Sequence, residues 1–156
     1  MSPAKNDGES IKIVQKNRKA YFNYEILDKY EAGLVLEGPE VKSIREGHVS
    51  IQESYAKMRG TELWVINMDV QPYSHTPTAL QEPKRARKLL LKRREIEKIS
   101  TQTREKGLTV VPLTLYFKSG FAKLEIGVAR GRAKHDKRDV IRKREADREL
   151  RKHRMR

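Results

Sequence analysis

The sequence predicts a mainly β fold: a small antiparallel barrel of the oligonucleotide-binding (OB) kind, with two or three helices and a basic C-terminal tail. Three observations predict it. Apolar and aromatic residues gather in short runs at 21–36, 49–70 and 108–128, separated by Gly, Pro or polar pairs. A short and a long stretch carry helix signals between those runs. Finally, positive charge collects after residue 129. Residues 130–156 hold thirteen Lys or Arg against five Asp or Glu, a net of +8 out of +14 for the whole chain. A split α+β sandwich is the other arrangement these elements allow.

A chain of 156 residues has room for one domain, or one domain plus a tail, and not for two ordinary domains. Its 37% hydrophobic content lies below the usual share of roughly 45 to 50%, so a core forms only where the apolar residues concentrate, at 11–129. The absence of Cys excludes disulfide frameworks, thiolate metal sites and cysteine nucleophiles, and fits a reducing compartment such as the cytoplasm. No apolar stretch approaches the roughly 18 residues of a membrane span. Residues 1–10 are small, polar and mixed in charge, and are expected to be flexible. A compact domain holds the excess charge against its own self-repulsion, and a polyanionic partner is the obvious reason for it.

In chain order, 21–27 and 30–36 read as two paired strands with a tight turn at Asp28 and Lys29. Gly38 and Pro39 end the second. Pro39 and Gly47 frame a short helix over 40–46, with Val41 and Ile44 inward and Lys42 and Arg45 outward. A hairpin over 49–58 and 62–70 turns at Arg59 and Gly60. Pro72, Pro77 and Pro83 make 71–83 an irregular loop. A long helix is predicted over 85–106, with Leu89, Ile96, Ile99 and Thr103 on one face and Gly107 as its stop. Residues 108–118 and 121–128 alternate as a hairpin through Ser119 and Gly120, with Pro112 at an edge or bulge. Residues 130–156 have too few apolar side chains to order alone and are expected to be disordered when free. Nothing from 132 onward is Gly or Pro, so a helix on a target remains open.

The densest chemical feature is the run KRARKLLLKRR at 84–94, with Lys84, Arg85, Arg87, Lys88, Lys92, Arg93 and Arg94 and no acid. On the predicted helix it is a phosphate grip, weighed evenly against a merely solvated face until the missing acid favours the grip. A second cluster, Arg130, Arg132, Lys134, Lys137 and Arg138, interleaves Gly131 and His135, which suits phosphate neutralisation plus one stacking imidazole; the plain alternative is a solubilising tail. Tyr21, Phe22, Tyr24 and Tyr30 serve either as stacking platforms or, more commonly for strand aromatics, as packing. His48, His75, His135 and His153 lack metal-site spacing, and no Ser, Asp and His grouping or glycine phosphate loop appears. Glu31 and Glu40 are unexpected on a basic surface. A nuclease would need such carboxylates with a metal or a histidine; the milder role is to accept a hydrogen bond from a base or orient an Arg. No cofactor, metal, membrane or small-molecule substrate is called for.

Three strings in order, YEAGLVLEGPEVKSIREG at 30–47, PKRARKLLLKRREI at 83–96 and IGVARGRAKHDKR at 126–138, closely resemble the bacterial SsrA-binding protein family, SmpB. The similarity runs from about Asn17 to Arg138, with a basic tail beyond. The resemblance implies an OB-like body and a non-enzymatic partner of transfer-messenger RNA. Such a protein brings that RNA to ribosomes stalled without a stop codon, so that trans-translation tags the product and frees the ribosome. It also implies site residues. Asn17, Tyr24 and Glu31, joined by Arg45, Arg87, Lys88, Leu91 and Lys123, belong to the surface contacting or shaping the site for the tRNA-like part; the basic run itself, not the resemblance, adds Arg85 to the RNA-binding residues. Gly131, Lys134, His135, Asp136, Lys137 and Arg138 match the segment placed at the ribosomal decoding centre, with the tail beyond helical in the empty mRNA channel. Ala133 stands where the family usually has Lys. A ribosome-bound structural or assembly protein without a rescue role is the other class of function these features allow, and a small ribonuclease a distant third.

Overall fold

The computed structural model describes residues 10–74, 81–105 and 107–154, with backbone alone at 134–136 and 153–154. The expectations for residues 1–9, for His75 and Pro77, and for the side chains of Lys134, His135 and Asp136 lie outside the described residues.

The first strand, β1 (Ile11–Lys16), has no counterpart among the predicted elements. A short helix α1 (Arg18–Asn23) follows and leads straight into β2 (Tyr24–Leu34). The predicted pair of strands around Asp28 and Lys29 is thus one eleven-residue strand preceded by a helical turn. Asn17 explains the helix: its Oδ1 accepts the Ala20 N–H at 3.1 Å, satisfying an otherwise orphaned donor of the first turn. Asp28 does not turn the chain. It marks a bulge in the pairing of β2, with the register shifting between Ile26 and Asp28.

Helix α2 (Gly38–Arg45) starts two residues before the predicted 40–46, with Pro39 in its first turn and the Glu40 carboxylate accepting the Glu37 N–H at 2.9 Å. Gly47 follows at φ +83°, a left-handed conformation that closes the helix without a Cβ penalty. Next come β3 (Val49–Ser50), β4 (Tyr55–Arg59), β5 (Glu62–Ile66) and β6 (Asp69–Val70). Strands β4 and β5 form the predicted hairpin, while β3 and β6 pair separately as a two-stranded ribbon.

The segment predicted as one long helix over 85–106 is a strand and then a helix: β7 (Arg87–Leu90) and α3 (Arg93–Thr103). β7 is bonded on both sides, Leu63 opposite Leu89 on β5 and Gly33 opposite Leu90 on β2. Its side chains alternate, with Arg87 and Leu89 buried and Leu90 exposed. Helix α3 starts after Lys92, whose N–H is accepted by Glu95 at 3.0 Å. Strands β8 (Leu108–Lys118) and β9 (Phe121–Gly131) form the last hairpin, and the register shift between Pro112 and Thr114 is the bulge that the proline foretells. Helix α4 (Lys134–Arg154) runs on from there.

Strand order β8-β4-β5-β7-β2-β9 returns to β8 through the β8–β9 pairing, so six strands close a ring, with β1 added on β8. This is the predicted barrel rather than the sandwich. Its seam is thin at β4–β8, where Ala56 opposite Val110 is the pairing. Ala32, Ile44, Ile51, Leu63, Met68, Leu89, Ile99, Leu115, Leu124 and Ile126 fill the interior. A second buried group, Ala20, Val111, Leu113 and Ala129, seats α1 against the outside of β8 and β9.

Candidate nucleic-acid interface

The residues singled out in the sequence fall into three places. Glu31 lies on the outer face of β2, across from Glu125 on β9. Its carboxylate accepts the Tyr116 hydroxyl of β8 and lies 3.5 Å from Lys118 Nζ. Burial alone would raise the Glu31 pKa, but the Tyr116 hydrogen bond and the charges of Lys118 and Lys123 outweigh it, so the group is held below its ordinary value. The carboxylate therefore stays charged and fixes its neighbours. Cross-strand register brings Leu90, Gly33, Lys123, Tyr116 and Ile13 side by side in one row over five strands. Arg45 reaches the same end of the barrel from α2, with its guanidinium 4.8 Å from the Phe117 ring and Nη2 donating to the Gly120 carbonyl at 3.4 Å. Glu31 and Lys123 thus share one surface, and Arg45 caps the same end of the barrel. Tyr116, Lys118 and the exposed Leu90 belong to it and were missed in the sequence. Only the strand register reveals them.

Asn17 and Tyr24 stand elsewhere. Tyr24 begins β2, seven residues before Glu31, which in an extended strand separates them by roughly 23 Å. Opposite it on β9 is Gly131. Arg132 continues this corner, donating its backbone N–H to the Asn23 carbonyl at 2.8 Å and its Nε to the Tyr24 carbonyl at 3.2 Å. Asn17 is 1% exposed, and its Nδ2 is spent on the carbonyls of Pro112 (2.9 Å) and Ile51 (3.3 Å). Its role is to shape the surface, since it has nothing left to offer a ligand. In the tail, Arg138 is exposed and Lys137 Nζ lies 5.9 Å over the Phe22 ring. Tyr30 is core, with its hydroxyl donating to Asp28 at 2.8 Å.

The basic run resolves into unlike members. Arg87 is fully buried: Nε donates to Glu40 at 2.7 Å, Nη1 to the carbonyls of Met68 and Arg85, and Nη2 to that of Pro83 at 3.0 Å. Arg85 shares the same carboxylate at 2.5 Å. Desolvation would raise the Glu40 pKa, yet the bonds from Arg85, the Glu37 N–H and Arg87 keep it low. This buried cluster pins the loop before β7 to α2 and presents no cation from Arg87 to a ligand. Lys88 alternates outward beside Trp64, paired with Glu62 at 2.5 Å. Leu91 packs partly against the core beside α3. Among the described residues no cluster of His, Asp or Glu is arranged to hold a metal.

What remains outward is basic and interleaved with aromatics, an arrangement that suits a phosphate backbone with unstacked bases. Comparison with known proteins decides the family, for the model described as SmpB protein matches residues 14–156, body and tail together. The chain belongs to the SmpB family. It is 52% identical over 141 residues to the SsrA-binding protein of Carboxydothermus hydrogenoformans, covering 90% of this chain and 95% of that one. It is 50% identical over 139 residues to the SsrA-binding protein of Geobacillus kaustophilus, covering 89% and 90%. A solved structure described as "tmRNA-SmpB: a journey to the center of the bacterial ribosome" holds a chain of the same fold. Its TM-score to this SmpB chain is 0.66 at 41% identity, covering 82% of this chain and 94% of that chain.

Proposed function

We propose that this SmpB-family protein binds the tRNA-like part of transfer-messenger RNA and delivers it to ribosomes stalled without a stop codon, where trans-translation frees them. The observation that carries this is the family match over residues 14–156, which includes both the barrel and the basic tail. It acts by binding, with no catalytic step of its own, and works on the ribosome, hence in the cytoplasm. The surface of Glu31, Lys123 and the neighbouring Arg45 takes the partner RNA, with Lys88 adding charge beside it. Residues 131–138 enter the decoding centre, with His135 stacking on ribosomal RNA, and the tail beyond follows the empty mRNA path as a helix. The physics is simple: phosphates around the channel attract the cations, and mRNA, when present, occupies the same space. Free of the ribosome, the tail loses its order, because α4 shields little more than Val140 and Lys137 among its described side chains.

The test is to recover the protein from its native cells and sequence the RNA it holds. Transfer-messenger RNA should dominate. Recovery of ribosomal RNA alone, with no transfer-messenger RNA above background, would instead favour a structural component of the ribosome.

A further inference from the structure

We propose that the groove between α1 and residues 51–55 is a slot for one unpaired RNA base, stacked on Tyr55 and Tyr24. The groove has a volume of about 220 Å³ and a floor formed by Thr109 and Val111 of β8. It is preformed, because Asn17 ties its parts together, bonding at once to β8 through the Pro112 carbonyl, to the Ile51 carbonyl of the far wall and to the Ala20 N–H of α1. Ser54 Oγ donates to the Ile51 carbonyl at 2.6 Å and holds that wall in place.

The lining has the chemistry of base recognition. Two phenol rings supply stacking faces, and the amides of Asn23 and Gln52 supply both donors and acceptors. Among the described residues none of these four side chains has a hydrogen-bond partner. The charges at the rim, Lys19 and Glu53, are paired with each other, so the slot itself is neutral, as suits an uncharged base. Phosphate contacts lie next to it. Strand β4 points Tyr55, Lys57 and Arg59 outward, all exposed and spaced roughly 7 Å apart. Lys57 has no ion-pair partner among the described residues, and Arg59 sits 5.3 Å over the ring of Trp64. A base in the slot therefore has its own strand's phosphates beside a row of cations.

This inference rests on the RNA-binding function proposed above, and the base could come from the partner RNA or from ribosomal RNA. The experiment measures affinity of the full-length protein for transfer-messenger RNA in one arm and for small ribosomal subunits with an empty mRNA channel in the other. Parent, Tyr55→Ala and Tyr55→Phe are compared, and ultraviolet crosslinks are mapped to peptides. Stacking predicts that Tyr55→Ala weakens binding about 5- to 100-fold in one arm, which names the source of the base. Tyr55→Phe keeps the ring and stays within about threefold of parent in that arm. Because Tyr55 is 42% exposed, both variants should melt close to the parent. Parent-like affinity of Tyr55→Ala in both arms overturns the slot while leaving the proposed function intact, and equal losses for Phe and Ala overturn it too. Failure of the parent to bind either RNA removes the function and the slot with it.

Discussion

At the scale of single residues, the two carboxylates on this basic protein do different work. Glu40 is structural, the counter-charge for a fully buried arginine. Arg87→Leu should therefore lower unfolding free energy by about 3 to 5 kcal/mol in a urea titration, the usual cost of leaving a buried ion-pair partner alone. Any loss of RNA binding should follow that loss of structure, whereas Lys88→Ala should weaken RNA binding with unfolding unchanged within about 0.5 kcal/mol. The pH dependence has a definite sign. The folded pKa of Glu40 is depressed, so the unfolded chain binds more protons near that range; the stabilisation is complete above the ordinary value of 4.5 and is lost as pH falls through the folded value. Urea midpoints should drop on acidification below about 4.5, and Glu40→Gln should flatten that drop while costing stability at neutral pH. Glu31, in contrast, holds Tyr116 and Lys118 in one arrangement, with the charge of Lys123 near enough to keep its carboxylate ionised. Glu31→Lys should weaken binding of transfer-messenger RNA although it adds two positive charges, whereas nonspecific attraction alone demands the reverse. An electrophoretic titration in which the Lys variant bound more tightly would leave no role for an ordered site.

Elements were legible wherever local signals and tertiary pairing agree. The last hairpin, with its bulge at Pro112, and the Pro39 to Gly47 helix follow from turn chemistry alone. The basic run misled because Leu89, Leu90 and Leu91 with flanking Lys and Arg are good helix formers, and propensity is overridden by bonding partners on both sides. Strand alternation is present over 87–90, but four residues are too short to distinguish it from one helical turn. The partners, Leu63 and Gly33, are distant in sequence. Likewise Asp28 and Lys29 look like a turn, and nothing local says that β9 pairs along their whole length. The site suffered most, since its surface groups side chains by cross-strand register. Mutation distinguishes strand from helix here. Leu89→Ala should cost about 2 to 5 kcal/mol, the range for emptying a buried leucine site. Leu90→Ala, at a position 52% exposed, should stay within about 0.5 kcal/mol. Comparable losses at both positions would contradict the alternation.

For the molecule as a whole, the charge divides the labour. The barrel is complete by β9, and among the described residues every member of its buried core precedes the tail. Helix α4 adds charge without adding core: among its described side chains, Ile141 is 42% and Leu150 56% exposed. A chain ending after Arg132 should therefore melt close to the full chain and still bind transfer-messenger RNA, while failing to release stalled ribosomes. Equal loss of binding and release would undo the division. In the free full-length protein, amides beyond residue 133 should exchange close to random-coil rates, because Lys or Arg at 134, 137, 138, 142, 143, 144, 148, 151, 152 and 154 repel along the helix and little burial opposes them. Among phosphates the balance reverses, since counterion release then rewards the same closely spaced cations. Proline at both Arg142 and Arg148 removes two helical N–H donors and clashes with the preceding turns, a penalty of about 3 kcal/mol each in a helix interior. The double variant should keep the parent's affinity for transfer-messenger RNA and lose ribosome rescue. Strong amide protection of the free tail, or full rescue by the double proline variant, would mean that folding in the vacant channel is not the step that senses it.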